Sequence, residues 1–120
     1  MATVDLFAIG NALIDQEFQV SDDFLTQQNL QKGTMQLTDG ETQANLYNNL
    51  QQTQSYKGQA SGGSAANTTV AFSALGGSAF YACRVGNDDL GEIYLNGLND
   101  AGIRTTAKSV SEGVTGTCMV

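Results

Sequence analysis

The sequence predicts an α/β fold with a parallel sheet at its centre, and three observations carry that prediction. Between residues 54 and 102, strand-like and helix-like stretches follow each other as strand, helix, strand, helix. That alternation places successive strands parallel, with the helices crossing over between them. The first of those helices is built from small residues, Ala65, Ala66, Ala71 and Ala74, which let it lie close on a sheet. The chain also opens on an apolar run, Val4 to Ile9, that ends at Gly10 and reads as a buried strand of the same sheet.

Taken in order, Val4–Ile9 is interrupted by one polar residue, Asp5. Residues 12–20 come close to alternating apolar and polar side chains, as a half-exposed strand does. Ser21-Asp22-Asp23 opens a short helix: Ser21 can accept from free backbone N–H groups, and the acids sit at the positive end of the helix dipole. Gly33 stops that helix, and Thr34–Leu37 follows as a short strand. Thr38-Asp39-Gly40-Glu41 has capping-box spacing. It starts a second helix that runs to about Gln52, with Ala44, Leu46, Tyr47 and Leu50 at helical spacing. Gln54–Ala60 is a weak strand. Ser61-Gly62-Gly63-Ser64 is a turn into a helix from about Ala65 to Leu75, which Gly76-Gly77 ends in left-handed conformation.

Ala79–Val85 is the best strand in the chain. Asn87-Asp88-Asp89 caps a helix to Ala101 with Leu90, Ile93, Tyr94, Leu98 and Ala101 inward, and Gly102 ends it. Residues 103–110 and 114–120 flank Ser111-Glu112-Gly113 and read as a hairpin. Stretches 12–37 and 103–120 do not fit a doubly wound core and read as a second, smaller β element. The chain stops in mid-strand at Thr117-Cys118-Met119-Val120, and three parallel strands with an open edge make a poor stand-alone unit. The expectation is the N-terminal part of a longer protein.

Composition excludes several functions. The 120 residues make about one domain, and no apolar run approaches the roughly 18 residues of a membrane span. The first residues lack a basic n-region, so no secretory signal is expected. Five Lys+Arg against twelve Asp+Glu give a net charge of −7, which argues against a nucleic-acid partner. With no His, the chain itself offers no His-ligated zinc, no Ser-His-Asp triad and no His general base. Cys83 and Cys118 lack metal-type spacing and read as buried thiols in a reducing, cytoplasmic setting.

The sharpest chemical feature is Gly62-Gly63-Ser64-Ala65-Ala66-Asn67. Two glycines between a strand and a helix let backbone approach a ligand, and the helix start offers free N–H groups. Asn67 supplies a donor and an acceptor to a hydroxyl. The plainer reading is a glycine turn with Ser64 as N-cap. Neither G-x-G-x-x-G nor a Walker loop is present. The second feature is Gly10-Asn11-Ala12-Leu13-Ile14-Asp15, beyond the carboxyl end of the first strand, where open α/β sheets bind ligands. Asp15 suits a vicinal diol, because a carboxylate can accept from two hydroxyls. Asn11 and Asp15 can share a small ligand only if the chain bends at residues 10–12. The plainer reading is a strand-end Asn and a solvated Asp. Asp88 and Asp89 could ligate a metal, but helix capping explains them better, and Cys118 reads as packing because no base can activate it. No metal ligand and no catalytic residue is assigned within the chain.

Together these residues resemble the ribokinase-like, or pfkB, family of carbohydrate and nucleoside kinases. The family's long N-terminal signature is matched by Gly62-Gly63, Asn67, Gly76 and Gly86, and Asn87-Asp88-Asp89-Leu90-Gly91 resembles the stretch that follows it. Gly10-Asn11 with Asp15, Met35-Gln36-Leu37 and Thr115-Gly116-Thr117-Cys118 are similar to the adenosine-kinase-like branch. The resemblance implies a ribokinase-like, Rossmann-like core (about 3–11 and 54–102) and a small β-sheet lid (about 12–20, 34–37 and 103–120), the N-terminal part of one kinase domain. It implies transfer of the ATP γ-phosphate, with Mg2+, to a primary hydroxyl of a sugar or ribonucleoside, an adenosine-like one being favoured. Asn11, Asp15, Gly62, Gly63 and Asn67 would hold that acceptor, and Gln36 and Thr117 would belong to the lid. The partner implied is a small molecule, and a homodimer through the lid is left open. The family's catalytic Asp lies in a Gly-Ala-Gly-Asp motif that this chain lacks. The chain is therefore expected to carry the acceptor half, without the ATP and Mg2+ site, and to be inactive alone. The competing readings are a non-catalytic sugar- or nucleoside-binding regulatory relative and an unrelated α/β module.

Overall fold

The computed structural model describes residues 3–106 and 109–120. Ala107 and Lys108, which fall within the expected strand 103–110, lie outside the described residues. The elements are β1 (Leu6–Ile9), β2 (Leu13–Phe18), α1 (Asp22–Gln27), α2 (Gly40–Gln52), β3 (Tyr56–Gly62), α3 (Ser64–Ala74), β4 (Ala79–Ala82), β5 (Val85–Gly86), α4 (Asp89–Asp100), β6 (Val110–Ser111) and β7 (Gly116–Met119). Strands β3, β2 and β7 form one sheet in that order. The chain divides into two compact units: residues up to Asp15 with Gln59–Cys118, and Gln16–Gly58 with Met119–Val120.

In the first unit, β1 and β4 pair in parallel, from Leu6 opposite Ala79 to Ile9 opposite Ala82. A parallel sheet is present as predicted and the first strand belongs to it, but the strand at 54–60, expected in the same sheet as β4, instead lies as β3 beside β2. Arg104 lies on the other side of β4: the Tyr81 N–H donates to its carbonyl at 2.9 Å, and its own N–H donates to Ala79 at 3.2 Å. Helix α3 comes so close to the end of β1 that a Cβ on Gly10 would stand 2.9 Å from that of Ala65. The core gathers Ala12, Ile14, Ala66, Tyr81, Cys83, Val85, Tyr94, Leu98 and Ile103. Each large apolar side chain buried there contributes about 1.5–3 kcal/mol.

Both helices of this unit end as their sequences predict. Gly76 takes a left-handed φ of 94°, and the N–H groups of Gly76 and Gly77 donate to Ser73 and Phe72. Gly102 and Ile103 close α4 in the same way on Asn99 and Leu98. Ile103 then packs with Leu98 in the core, the apolar contact that accompanies such an ending.

The second unit holds α1 and α2. Phe18 meets Tyr47 and Tyr56 edge-on, with ring centroids 6.2 Å and 5.7 Å apart. Leu50 is buried, and Asn49 donates to the Gln28 side chain at 3.0 Å. Ser21 caps α1 as predicted, accepting from the Phe24 N–H.

Several expectations are corrected. The predicted hairpin of 103–110 and 114–120 does not form. β6 instead pairs in parallel with β5, and β7 joins β2, because each finds an open edge elsewhere. The predicted strand 79–85 is two strands, since β4 loses β1 as a partner where that chain turns away after Ile9. Residues 34–37 form no strand, and Met35, Gln36 and Leu37 are exposed. Helix α1 ends at Gln27 rather than at Gly33. The cap of α2 is Asp39, one residue after Thr38, and it accepts from the Thr42 N–H at 2.7 Å. Ala44 and Ile93 are exposed, and Leu95 rather than Ile93 packs on the core.

Candidate acceptor site

The chain leaves β1 at Ile9 and resumes at Leu13 in a different sheet. The break therefore falls at residues 10–12, where a bend is required if Asn11 and Asp15 are to serve one ligand. Asn11 is exposed, and its carbonyl accepts from the Tyr81 hydroxyl at 3.1 Å. Asp15 is half-buried on β2.

The glycine turn lies against both residues. A Cβ on Gly62 would stand 2.5 Å from Asp15 Oδ2, and one on Gly63 would stand 2.8 Å from the Asn11 carbonyl oxygen. Gly63 also has a φ of 103°, which L side chains rarely adopt. It occupies the N-cap position of α3 with no side-chain cap, so Ser64, expected as the cap, is instead the first helical residue. The N–H groups of the first turn thus keep their hydrogen-bonding capacity and the positive end of the helix dipole. Asn67 sits in that turn with its side chain exposed and its N–H donating to Gly63 at 2.9 Å.

An open cleft of about 350 Å3 lies at the carboxyl ends of β1 and β4, lined by residues 9–12 and 82–84. Asn11 lines it, whereas Asp15, Gly62, Gly63 and Asn67 do not. Four of the five residues expected to hold an acceptor are brought together by direct approach of backbone or carboxylate, and Asn67 follows one helical turn later. Thr117 is half-buried on β7, and Gln36 lies in the second unit, in the irregular stretch 34–37.

Sequence reasoning missed two residues beneath this site. Tyr81 of β4 and Tyr94 of α4 are both 0% exposed. The Tyr94 hydroxyl donates to the Gly62 carbonyl at 3.0 Å, as that of Tyr81 does to Asn11. Helical spacing places Tyr94 inward, and a buried tyrosine requires a partner for its hydroxyl. Only the tertiary structure identifies that partner.

The acids after β5 are committed to structure. Asp88 caps α4 by accepting from the Gly91 N–H at 2.8 Å, and it also accepts from the Thr115 N–H at 2.8 Å and from the Thr115 hydroxyl. Thr115 in turn accepts from the Gly86 N–H at 3.0 Å. The Thr115 hydroxyl, followed by the two backbone N–H groups, holds the Asp88 carboxyl below the usual carboxylate range against the opposing effect of burial. A depressed folded-state value means stability that is present above the unfolded Asp pKa, about 3.9, and lost as pH falls through the lower folded value. Asp88→Asn should accordingly flatten the acid limb of a plot of melting temperature against pH below about 4. Equal acid slopes in the variant and the wild type would contradict this role.

The sequence profile of the pfkB family carbohydrate kinases matches residues 25–120. No curated protein matches the chain. Among solved structures it is similar to the adenosine kinase from Sinorhizobium meliloti, at 33% identity and a TM-score of 0.79 over 98% of this chain and 35% of that one. It is similar to a probable sugar kinase protein from Rhizobium etli CFN 42, at 30% identity and a TM-score of 0.79 over 99% and 35%. It is also similar to Anopheles gambiae adenosine kinase, at 26% identity and a TM-score of 0.78 over 96% and 34%. The chain spans about a third of the length of these proteins.

Proposed function

The chain belongs to the pfkB family of carbohydrate kinases, and from that premise we propose that it carries the acceptor-binding part of a kinase that phosphorylates a primary hydroxyl of a sugar or ribonucleoside. The observation that carries this reading is the approach of Asn11 and Asp15 to the Gly62-Gly63 turn at the uncapped start of α3. Asp15 accepts from two neighbouring hydroxyls, as a carboxylate can. The Asn11 and Asn67 amides complete the hydroxyl contacts. Gly63 admits the ligand close to the backbone. Gln36, Thr117 and the stretches around 12–20, 34–37 and the chain's end serve as the lid, which excludes water from the acceptor. The likeness to the S. meliloti enzyme favours an adenosine-like acceptor.

The family's chemistry draws the transferred phosphate from ATP with Mg2+. The described residues do not fit either group. Among them no three His, Cys, Asp or Glu side chains gather as a metal site, and the 120 residues contain no Gly-Ala-Gly-Asp. No residue of this chain is assigned to nucleotide, metal or proton transfer. Residues 1–120 alone should therefore release no ADP from ATP with adenosine, ribose or fructose. A coupled assay on the purified chain checks this, and acceptor-dependent ADP release would require a catalytic base within this sequence.

A further inference from the structure

Two tyrosines from different elements lie under the acceptor residues. Tyr81 comes from β4 and Tyr94 from α4, and both are fully buried. A hydroxyl taken from water without a partner is costly, so phenylalanine would pack there at less expense unless the hydroxyls are bonded. They are bonded to two backbone carbonyls of the acceptor site: Asn11 for Tyr81 at 3.1 Å and Gly62 for Tyr94 at 3.0 Å. Burial raises both phenols above their ordinary range. The Tyr94 hydroxyl lies 3.8 Å from where a Cβ on Gly63 would stand.

The four partners come from four places in the chain. Asn11 follows β1, Gly62 ends β3, and the tyrosines belong to the core packed beneath them. The loop that bears Asn11 and the turn that bears Gly62-Gly63 are therefore each tied to the same buried core through one tyrosine hydroxyl.

We propose that Tyr81 and Tyr94 are positioning residues for acceptor binding, whose hydroxyls each anchor one side of the site to the core, Tyr81 the Asn11 loop and Tyr94 the Gly62-Gly63 turn. The inference rests on the acceptor-site reading above. Supporting groups of this kind hold ligand-contacting residues in place without touching the ligand. Removing a hydroxyl takes away one carbonyl's tyrosine partner and frees one of the two loops to shift.

The test uses Tyr81→Phe, Tyr94→Phe, the double variant and Asp15→Ala in the intact protein, titrated with adenosine, ribose and fructose by calorimetry. Each Tyr→Phe change should weaken binding of the acceptor that the wild type takes by about fivefold or more, in line with a hydrogen bond lost beneath a site. The double variant should lose about the product of the two single losses, because each hydroxyl holds a different carbonyl. The carbonyl 13C resonance of Asn11 should move in Tyr81→Phe and that of Gly62 in Tyr94→Phe, shifts that need no ligand. Affinity within twofold of wild type in both single variants, while Asp15→Ala loses binding, overturns the tyrosine role and leaves the acceptor reading standing. Normal binding in Asp15→Ala, or no binding of any of the three compounds by the wild type, overturns both. An Asn11 resonance unmoved in Tyr81→Phe, or a Tyr94→Phe protein that fails to fold, overturns the inference: the first removes the hydrogen bond it rests on, and the second makes the hydroxyl a support of the fold and not of the site.

Discussion

Asp15→Ala should lower acceptor affinity by about 2–4 kcal/mol, on the order of 30- to 1,000-fold, the scale of losing a charge-assisted contact to two hydroxyls. The size of the effect follows from where the carboxylate sits. It is half-buried, and one of its oxygens is directed at Gly62, where any side chain would collide with it. Alanine removes both acceptor oxygens and leaves the uncapped start of α3 with no carboxylate beside it. Asn11 and Asn67 supply only neutral hydrogen bonds in its place, each worth about 0.5–1.5 kcal/mol. Titration calorimetry of the intact variant with adenosine, ribose and fructose checks the prediction. A change of less than about threefold for the acceptor bound by the wild type would reduce Asp15 to a solvated strand residue.

Gly63→Val should abolish measurable acceptor binding while leaving the helix signal in circular dichroism near that of the wild type. Two independent constraints act at this position. The backbone φ of 103° is strained for any L side chain, at about 1–3 kcal/mol. The new Cβ would also stand 2.8 Å from the Asn11 carbonyl oxygen, so the Asn11 loop or the turn must move. Valine is worse than alanine because its branched Cβ carries two further methyl groups into the same space. Helix α3 begins one residue later and ends in its own glycine motif, so its helicity does not depend on Gly63 keeping this geometry. Wild-type affinity in Gly63→Val would place the ligand elsewhere.

The features legible in the sequence were those with local causes. Gly76 and Gly102 end helices because left-handed backbone is available to glycine, and Ser21 and Asp88 cap helices because short polar side chains reach the free N–H groups. The first strand was expected in a parallel sheet with β4 and is there, but the order of elements placed the 54–60 strand in that sheet too, and β3 pairs with β2 instead. Strand partners were less legible. Residues 103–110 and 114–120 have strand-like patterns on either side of a glycine turn, which describes a hairpin as well as it describes two strands that leave for different sheets. Alternation records that one face is buried, not which edge the strand meets. Thr34–Leu37 shows the same limit, since apolar Met35 and Leu37 are exposed and unpaired as strand.

Gly62, Gly63, Asn11 and Asp15 were singled out by their motif spacing, but glycine, asparagine and aspartate are common in turns and at strand ends, and their mutual approach is visible only in the structure. The hydrogen bonds of Tyr81 and Tyr94 were not legible, because inward spacing predicts burial but does not name the carbonyl a hydroxyl will reach. Asp88 was ambiguous between a cap and a metal ligand until Gly91 and Thr115 were seen to occupy its oxygens.

The most direct test of the central claim is a crystal structure of the intact protein with adenosine bound, or with ribose or fructose if calorimetry selects one of those. The account predicts sugar hydroxyls within hydrogen-bonding distance of the Asp15 carboxylate, with the sugar against Gly63 and the side chains of Asn11 and Asn67 turned towards it. An acceptor bound elsewhere, with Asp15 facing solvent, would contradict it.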